Sequence, residues 1–209
     1  AGHPQIFIFI LIFGGFYFIY RIKKIRQWLF ICFAVIGLTA AAWLPLLEYY
    51  RFASREIMSS EFSFKKTLLP WKNLITLISP DFLGNPTTDN YWGKHDYTES
   101  AVYAGIIAFT FALIAVFSKN KHKKFFIYTI LIVFALCLKW FLPIILLWLK
   151  VPIFTTSPAT RVLFLATFSF CVLAGFGFDE FLKLKRIPKI IFLPGLFFIG
   201  IFGWFILAP

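Results

Sequence analysis

Residues 155–178 read TTSPATRVLFLATFSFCVLAGFGF, and from Val162 to Phe178 seventeen residues pass without a single charge. A helix rises about 1.5 Å per residue, so some 17 to 25 apolar residues are needed to cross the roughly 30 Å hydrocarbon core of a bilayer. Ser157 is a suitable N-cap and Pro158 a suitable first helical residue, which puts Arg161 in the first turn of this segment. The stretch therefore predicts a membrane-spanning helix with a polar, cationic start.

The same length test picks out Pro4 to Tyr20, Trp28 to Leu47, Ala101 to Phe117 and Pro188 to Leu207. A sixth segment, Phe125 to Leu138, is short alone but continues after Lys139 into WFLPIILLWLK, which predicts a span broken near Pro143 and followed by a re-entrant or interfacial piece. Composition agrees: 60% of residues are hydrophobic and 22% aromatic, with a mean hydropathy of +0.83, outside the range of soluble domains. The expected fold class is all-α: a polytopic transmembrane helical protein of about six spans, residues 1–209 forming one transmembrane domain. No Met and no charged segment precedes the first apolar run, so AGHPQ is not read as the start of a secretory signal, and the chain is expected to be an excerpt of a longer protein.

Charge orients the spans. RIKKIR at 21–26, SKNKHKK at 118–124 and KLKRIPK at 183–189 hold twelve of the 21 Lys and Arg residues, and the positive-inside rule places all three on the cytoplasmic side. This clustering between apolar spans also explains the net charge of +12 without nucleic acid as a partner. The N-terminal GHPQ, the long segment 48–100 and the segment 139–160 are then extracytoplasmic. Cys32, Cys137 and Cys171 lie in apolar segments without metal-ligand spacing, so neither a disulfide nor a zinc site is expected.

Inside the long loop, Pro70 precedes Trp71, Leu74, Ile75 and Ile78 at i, i+3, i+4 and i+7, which predicts a short amphipathic helix ended by Ser79-Pro80. It lies either on the membrane surface or against neighbouring spans. Asn85-Pro86-Thr87 is excluded as a glycosylation acceptor by its proline.

Polar chemistry is concentrated at this outer face. No charge falls in the middle of a confident span, unlike ion-coupled transporters and pumps, which keep ionisable groups at the midplane. Arg161 opposes the helix dipole, so an anion beside it, a phosphate or a carboxylate, would explain it; a side chain reaching lipid headgroups is the plainer reading. Seven of nine acids lie in or beside the loop: Glu48, Glu56, Glu61, Asp81, Asp89, Asp96 and Glu99. Any one can be a solvated loop charge, but Glu48, Asp81 and Glu99 are the catalytic candidates, as bases toward a hydroxyl. His3, Gln5, Arg55, Trp92, Tyr103 and Arg161 are the substrate-binding candidates. Trp92 and Tyr103 suit stacking on sugar rings and equally suit the aromatic belt of a membrane interface. No spacing specifies a metal; a divalent cation held with a phosphate is compatible with the acids.

AGHPQ, AAWLPLLEYYRFASRE, LISPDFLGNPTTDNYW followed by ESAVYAGIIAF, and VPIFTTSPATRVLFLATFSFCVLAGFG occur in an order that resembles the YfhO family of bacterial polytopic membrane proteins, within the GT-C glycosyltransferase class. The resemblance implies a membrane enzyme that moves a sugar from a polyprenyl-phosphate donor to a cell-envelope polymer or lipid, such as lipoteichoic acid. It also implies a catalytic acidic residue in a first outer loop that precedes this chain. On that reading Arg161, with Arg55, holds phosphate, and Glu48, Asp81 or Glu99 shapes the acceptor side. A transporter or flippase of lipid-linked sugar would use the same cleft, and a structural assembly subunit would use none of it.

Overall fold

The computed structural model describes residues 4–52, 61–93, 96–149, 151 and 158–183. Among these residues the chain is helical without a β-strand. The eight α-helices described are α1 (Pro4–Ile22), α2 (Ile25–Leu38), α3 (Ala40–Phe52), α4 (Glu61–Lys66), α5 (Ile106–Ala115), α6 (Lys123–Cys137), α7 (Phe141–Trp148) and α8 (Leu163–Phe181). Short 3₁₀ segments connect them at Trp71–Leu77, Pro86–Thr88, Thr98–Ser100 and Ala159–Val162.

Among the described residues two helical stretches are long and apolar enough to cross a membrane, Gln5–Ile22 and Ala159–Phe181, and a third counts if α2 and α3 form one bent span. That pair bends by 80°, within the segment Trp28 to Leu47 that the sequence predicts as one span. The bend has local causes. Thr39 turns its hydroxyl back onto the carbonyls of Val35 (2.7 Å) and Ile36 (3.4 Å), and the Trp43 indole N–H donates to Ile36 O at 2.8 Å. Pro45, inside α3, lacks the N–H that the preceding turn would use.

Ala101 to Phe117 is also shorter than its hydropathy suggests. Residues 101–105 are non-helical, Gly105 takes φ +97, and α5 keeps 10 residues, about 15 Å of rise. The break after α6 comes at Leu138 rather than near Pro143. Leu69 N–H donates to Cys137 O at 2.8 Å and Lys139 N–H donates to Leu69 O at 2.9 Å, a parallel bridge that satisfies the helix end and turns the chain away. Pro143 then sits harmlessly in the first turn of α7. The span predicted at Pro188 to Leu207 lies outside the described residues.

The described residues of the segment 48–100, namely 48–52, 61–93 and 96–100, are largely built structure. They contain the end of α3, α4 and three 3₁₀ segments, and they are tied to the 139–160 region by the Leu69–Leu138 bridge and by Trp71, whose indole donates to Lys139 O at 3.2 Å and meets the Trp140 ring edge-on. Trp71–Leu77 forms a 3₁₀ helix with Pro70 at its cap, not an α-helix. Its buried residues are Asn73 and Thr76, three apart as a three-residue turn demands, and Leu74 and Leu77 pack on the core, so this segment lies against its neighbours.

The core joins α5, α6 and α8, with Ala112, Ala115, Phe126, Val133, Ala166 and Phe170 among its buried residues. The α5–α8 contact is the most extensive, and Gly177 makes it possible: a Cβ there would stand 1.7 Å from the Phe111 carbonyl oxygen. Backbones that approach this closely across a membrane gain packing that larger residues forbid. Gly177→Ala is therefore expected to lower the thermal midpoint in detergent, at a cost of about 1–3 kcal/mol from overpacking. Gly175→Ala, whose Cβ meets nothing within 4 Å, is the matched control. Equal shifts for the two variants would contradict the close α5–α8 packing.

Candidate functional site

The polar site grows out of the turn 81–90, DFLGNPTTDN. Asn85 caps the 3₁₀ turn Pro86–Thr88 by accepting the Thr87 N–H at 2.9 Å. Asn90 Oδ1 in turn accepts the Asn85 N–H (2.8 Å) and the Thr88 hydroxyl (2.8 Å), closing the loop on itself. Gly84, at φ +80, is required for this closure, since a Cβ would fall 2.1 Å from Asn90 O. The loop thereby fixes Asp81, whose Oδ1 accepts from the Tyr97 hydroxyl at 2.7 Å and from Asn85 Nδ2 at 3.3 Å. Among the described residues its second oxygen carries no hydrogen bond.

Two residues beyond Tyr97 stands Glu99, in the turn Thr98–Ser100. Asp96 organises that turn, accepting the Glu99 N–H at 3.0 Å and the Thr98 hydroxyl at 2.6 Å. Glu99 then grips Arg161 bidentately: Arg161 Nε donates to Oε1 at 2.9 Å and Oε2 at 3.2 Å, and Nη2 donates to Oε1 at 2.8 Å. About a quarter of each side chain is exposed, 25% for Arg161 and 23% for Glu99. Arg161 sits in the 3₁₀ turn Ala159–Val162 that opens α8, with Pro158 at the cap rather than in the helix; Ser157 lies outside the described residues. The anion that a cation at this N-terminus calls for is thus a carboxylate of the same chain. Gln5, buried in the first turn of α1, donates from Nε2 to Pro158 O at 3.3 Å and ties α1 to the same corner.

Between these pieces lies a cavity of about 40 Å³, lined among others by Thr76, Tyr91, Tyr97, Ser100 and Tyr103. One water needs roughly 10–15 Å³ on this measure, so the cavity admits a few waters or a hydroxymethyl group but no sugar ring. A ring would have to lie outside it, against Tyr103, which lines the cavity and is 40% exposed, or against Trp92, which follows the lining residue Tyr91 and is 54% exposed. Trp92 packs edge-on against Phe82, and Lys72 Nζ lies 5.6 Å from its ring centre, a cation–π distance. The Tyr91 and Tyr97 rings meet edge-on at 5.7 Å.

The structure thus brings Asp81, Glu99, Arg161, Gln5, Trp92 and Tyr103 to one region. Glu48 does not join them; it is exposed on α3, which packs mainly on α2. His3 and Arg55 lie outside the described residues. Among the described residues no group of three or more His, Cys, Asp or Glu side chains converges as a metal site would. Sequence reasoning weighed Asn85 only as a glycosylation acceptor and passed over Asn90 and Ser100; for Asn85, Asn followed by Pro, a capping pair, was the available signal.

The Tyr97 hydroxyl donates to the Asp81 carboxylate, and that bond, with partial burial and the nearby negative charge, raises its pKa above the ordinary 10.0. Tyr91 is raised first by burial, against a lowering hydrogen bond from Ser100. Comparison with known protein families, curated proteins and solved structures finds no match to this chain. A folded pKa above the unfolded one means that the Tyr97–Asp81 bond contributes in full below the ordinary phenol value and is lost as pH rises through the raised one. Ultraviolet titration of wild type minus Tyr97→Phe should show a phenol ionising above pH 10.0, and Asp81→Asn should move it down. Ionisation of Tyr97 at the ordinary value in wild type would contradict the bond.

Proposed function

We propose that this chain is part of a membrane glycosyltransferase of the GT-C type, with about six spans, that moves a sugar from a polyprenyl-phosphate donor to a cell-envelope polymer or lipid on the outer face of a bacterial cytoplasmic membrane. The observation that carries the reading is the Asp81 carboxylate, held by Asn85 and by Tyr97, which lines the tyrosine-rich cavity and stands two residues before Glu99 of the Glu99–Arg161 pair. Of the three carboxylates considered, Glu99 is engaged through both oxygens by Arg161 and Glu48 stands apart, so Asp81 is the proton acceptor that this chain itself offers, beside any acidic residue of a preceding outer loop. In the proposed step Asp81 takes the proton of an acceptor hydroxyl, whose oxygen attacks the anomeric carbon. The anomeric C–O bond breaks, and its electron pair leaves on the polyprenyl phosphate. Arg161, oriented by Glu99, offsets the charge developing there, and the rings of Trp92 and Tyr103 support the sugar.

The bidentate Glu99–Arg161 pair favours a second reading, a carrier of lipid-linked sugar, because a neutralised pair suits grip more than proton transfer. Sugar transfer in membranes containing the protein and a labelled polyprenyl-phosphate sugar separates the two. Asp81→Asn should lower transfer at least about 100-fold, the ordinary worth of a general base, while Glu48→Gln leaves it intact. Undiminished transfer by Asp81→Asn sinks the assignment of the base, and movement of the labelled lipid without a new glycosidic bond selects the carrier.

A further inference from the structure

α1 and α2 form a splayed hairpin whose apolar cleft faces away from the core. The cleft measures about 360 Å³ and is lined by residues that include Ile12, Gly15, Phe16, Ile25, Trp28 and Cys32. Its walls are exposed apolar surface: Phe16 is 66% exposed and Leu29 59%, and no residue of α2 is buried. Its floor is set by Trp28 lying across Gly14 and Gly15, where an added Cβ would stand 3.1 Å and 2.9 Å from the indole.

The turn that joins the two helices is basic. Lys23, Lys24 and Arg26 are exposed, and no acidic residue occurs in the sequence before Glu48. The neighbouring element adds to the same sign. Arg21 contacts the His122 ring, and the Tyr20 hydroxyl donates to Lys121 O at 3.2 Å, bringing the basic segment 118–124 beside the turn. An apolar slot crowned by exposed cations matches an amphiphile with an anionic head.

We propose that the α1–α2 cleft binds an anionic glycerophospholipid of the leaflet on the basic side, with its phosphate against Lys23, Lys24 and Arg26 and one acyl chain along Trp28. Cations near an anionic membrane surface act cumulatively, and the cleft supplies the apolar burial that makes the contact site-specific rather than diffuse. This site lies at the opposite end of α1 from Gln5 and the proposed sugar chemistry, so it stands whether or not that chemistry does.

The test is quenching of tryptophan fluorescence by brominated acyl chains, with the protein in phosphatidylcholine vesicles in which an equal minor fraction is either brominated phosphatidylglycerol or brominated phosphatidylcholine. The Trp28 signal is the difference between wild type and Trp28→Phe. It should be quenched at least about fivefold more effectively by the anionic lipid, and the combined variant Lys23→Gln, Lys24→Gln, Arg26→Gln should abolish that preference. Equal quenching by the two lipids in wild type, or a preference that survives the combined variant, would overturn the site. Absence of quenching by either lipid would overturn it as well and mark the cleft as filled by protein, such as a second copy.

Discussion

Glu99 and Arg161 are 62 positions apart, and their pairing closes the polar end of the molecule. A cation in the opening turn of a long apolar helix faces the positive end of the helix dipole, in a place where water is already scarce. Left alone it would be costly; held in a bidentate fork by a carboxylate it becomes a fixed point. Because Glu99 sits in a turn organised by Asp96, and Tyr97 in the same stretch holds Asp81, one ion pair transmits the position of α8 to the whole 81–99 region. Gln5 adds α1 to that corner through Pro158.

The rest of the architecture keeps α8 where this pair needs it. Gly177 lets α5 come close along one side, and α6 packs along another. The Leu69–Leu138 bridge does for the outer segments what the ion pair does for the helix start: it satisfies backbone groups that a broken helix leaves exposed, in surroundings where water cannot be counted on. Segments that hydropathy alone would treat as linker thus acquire hydrogen-bonded structure and hold the tyrosines around their small cavity.

How much of this was legible in the sequence depended on the range of the interaction responsible. The helical class, the start of α1 at Pro4 and the apolar stretch after Arg161 follow from local composition and were readable. An anion beside Arg161 was one of two readings the sequence left open, the other being a side chain reaching lipid headgroups, and the residue supplying it was not legible, because the two sit 62 positions apart and nothing in a single sequence links them. The bend at Thr39 and the truncation of α5 at Gly105 were missed because hydropathy windows register apolar content but not a back-bonded hydroxyl or a positive φ. The 71–77 segment was read with the α-helical period, and the three-residue turn won because it buries Asn73 and Thr76 together. The Asp81–Tyr97 bond was missed for the same reason as the ion pair: a loop brings the partners together.

The claim that the Glu99–Arg161 pair organises the site is tested most directly by a double-mutant cycle read by thermal unfolding in one detergent. Glu99→Gln and Arg161→Gln should each destabilise the protein, and the two together should cost less than their sum, with a coupling of about 1–2 kcal/mol for a partly buried charged pair. Strict additivity, with no coupling outside error, would contradict the account.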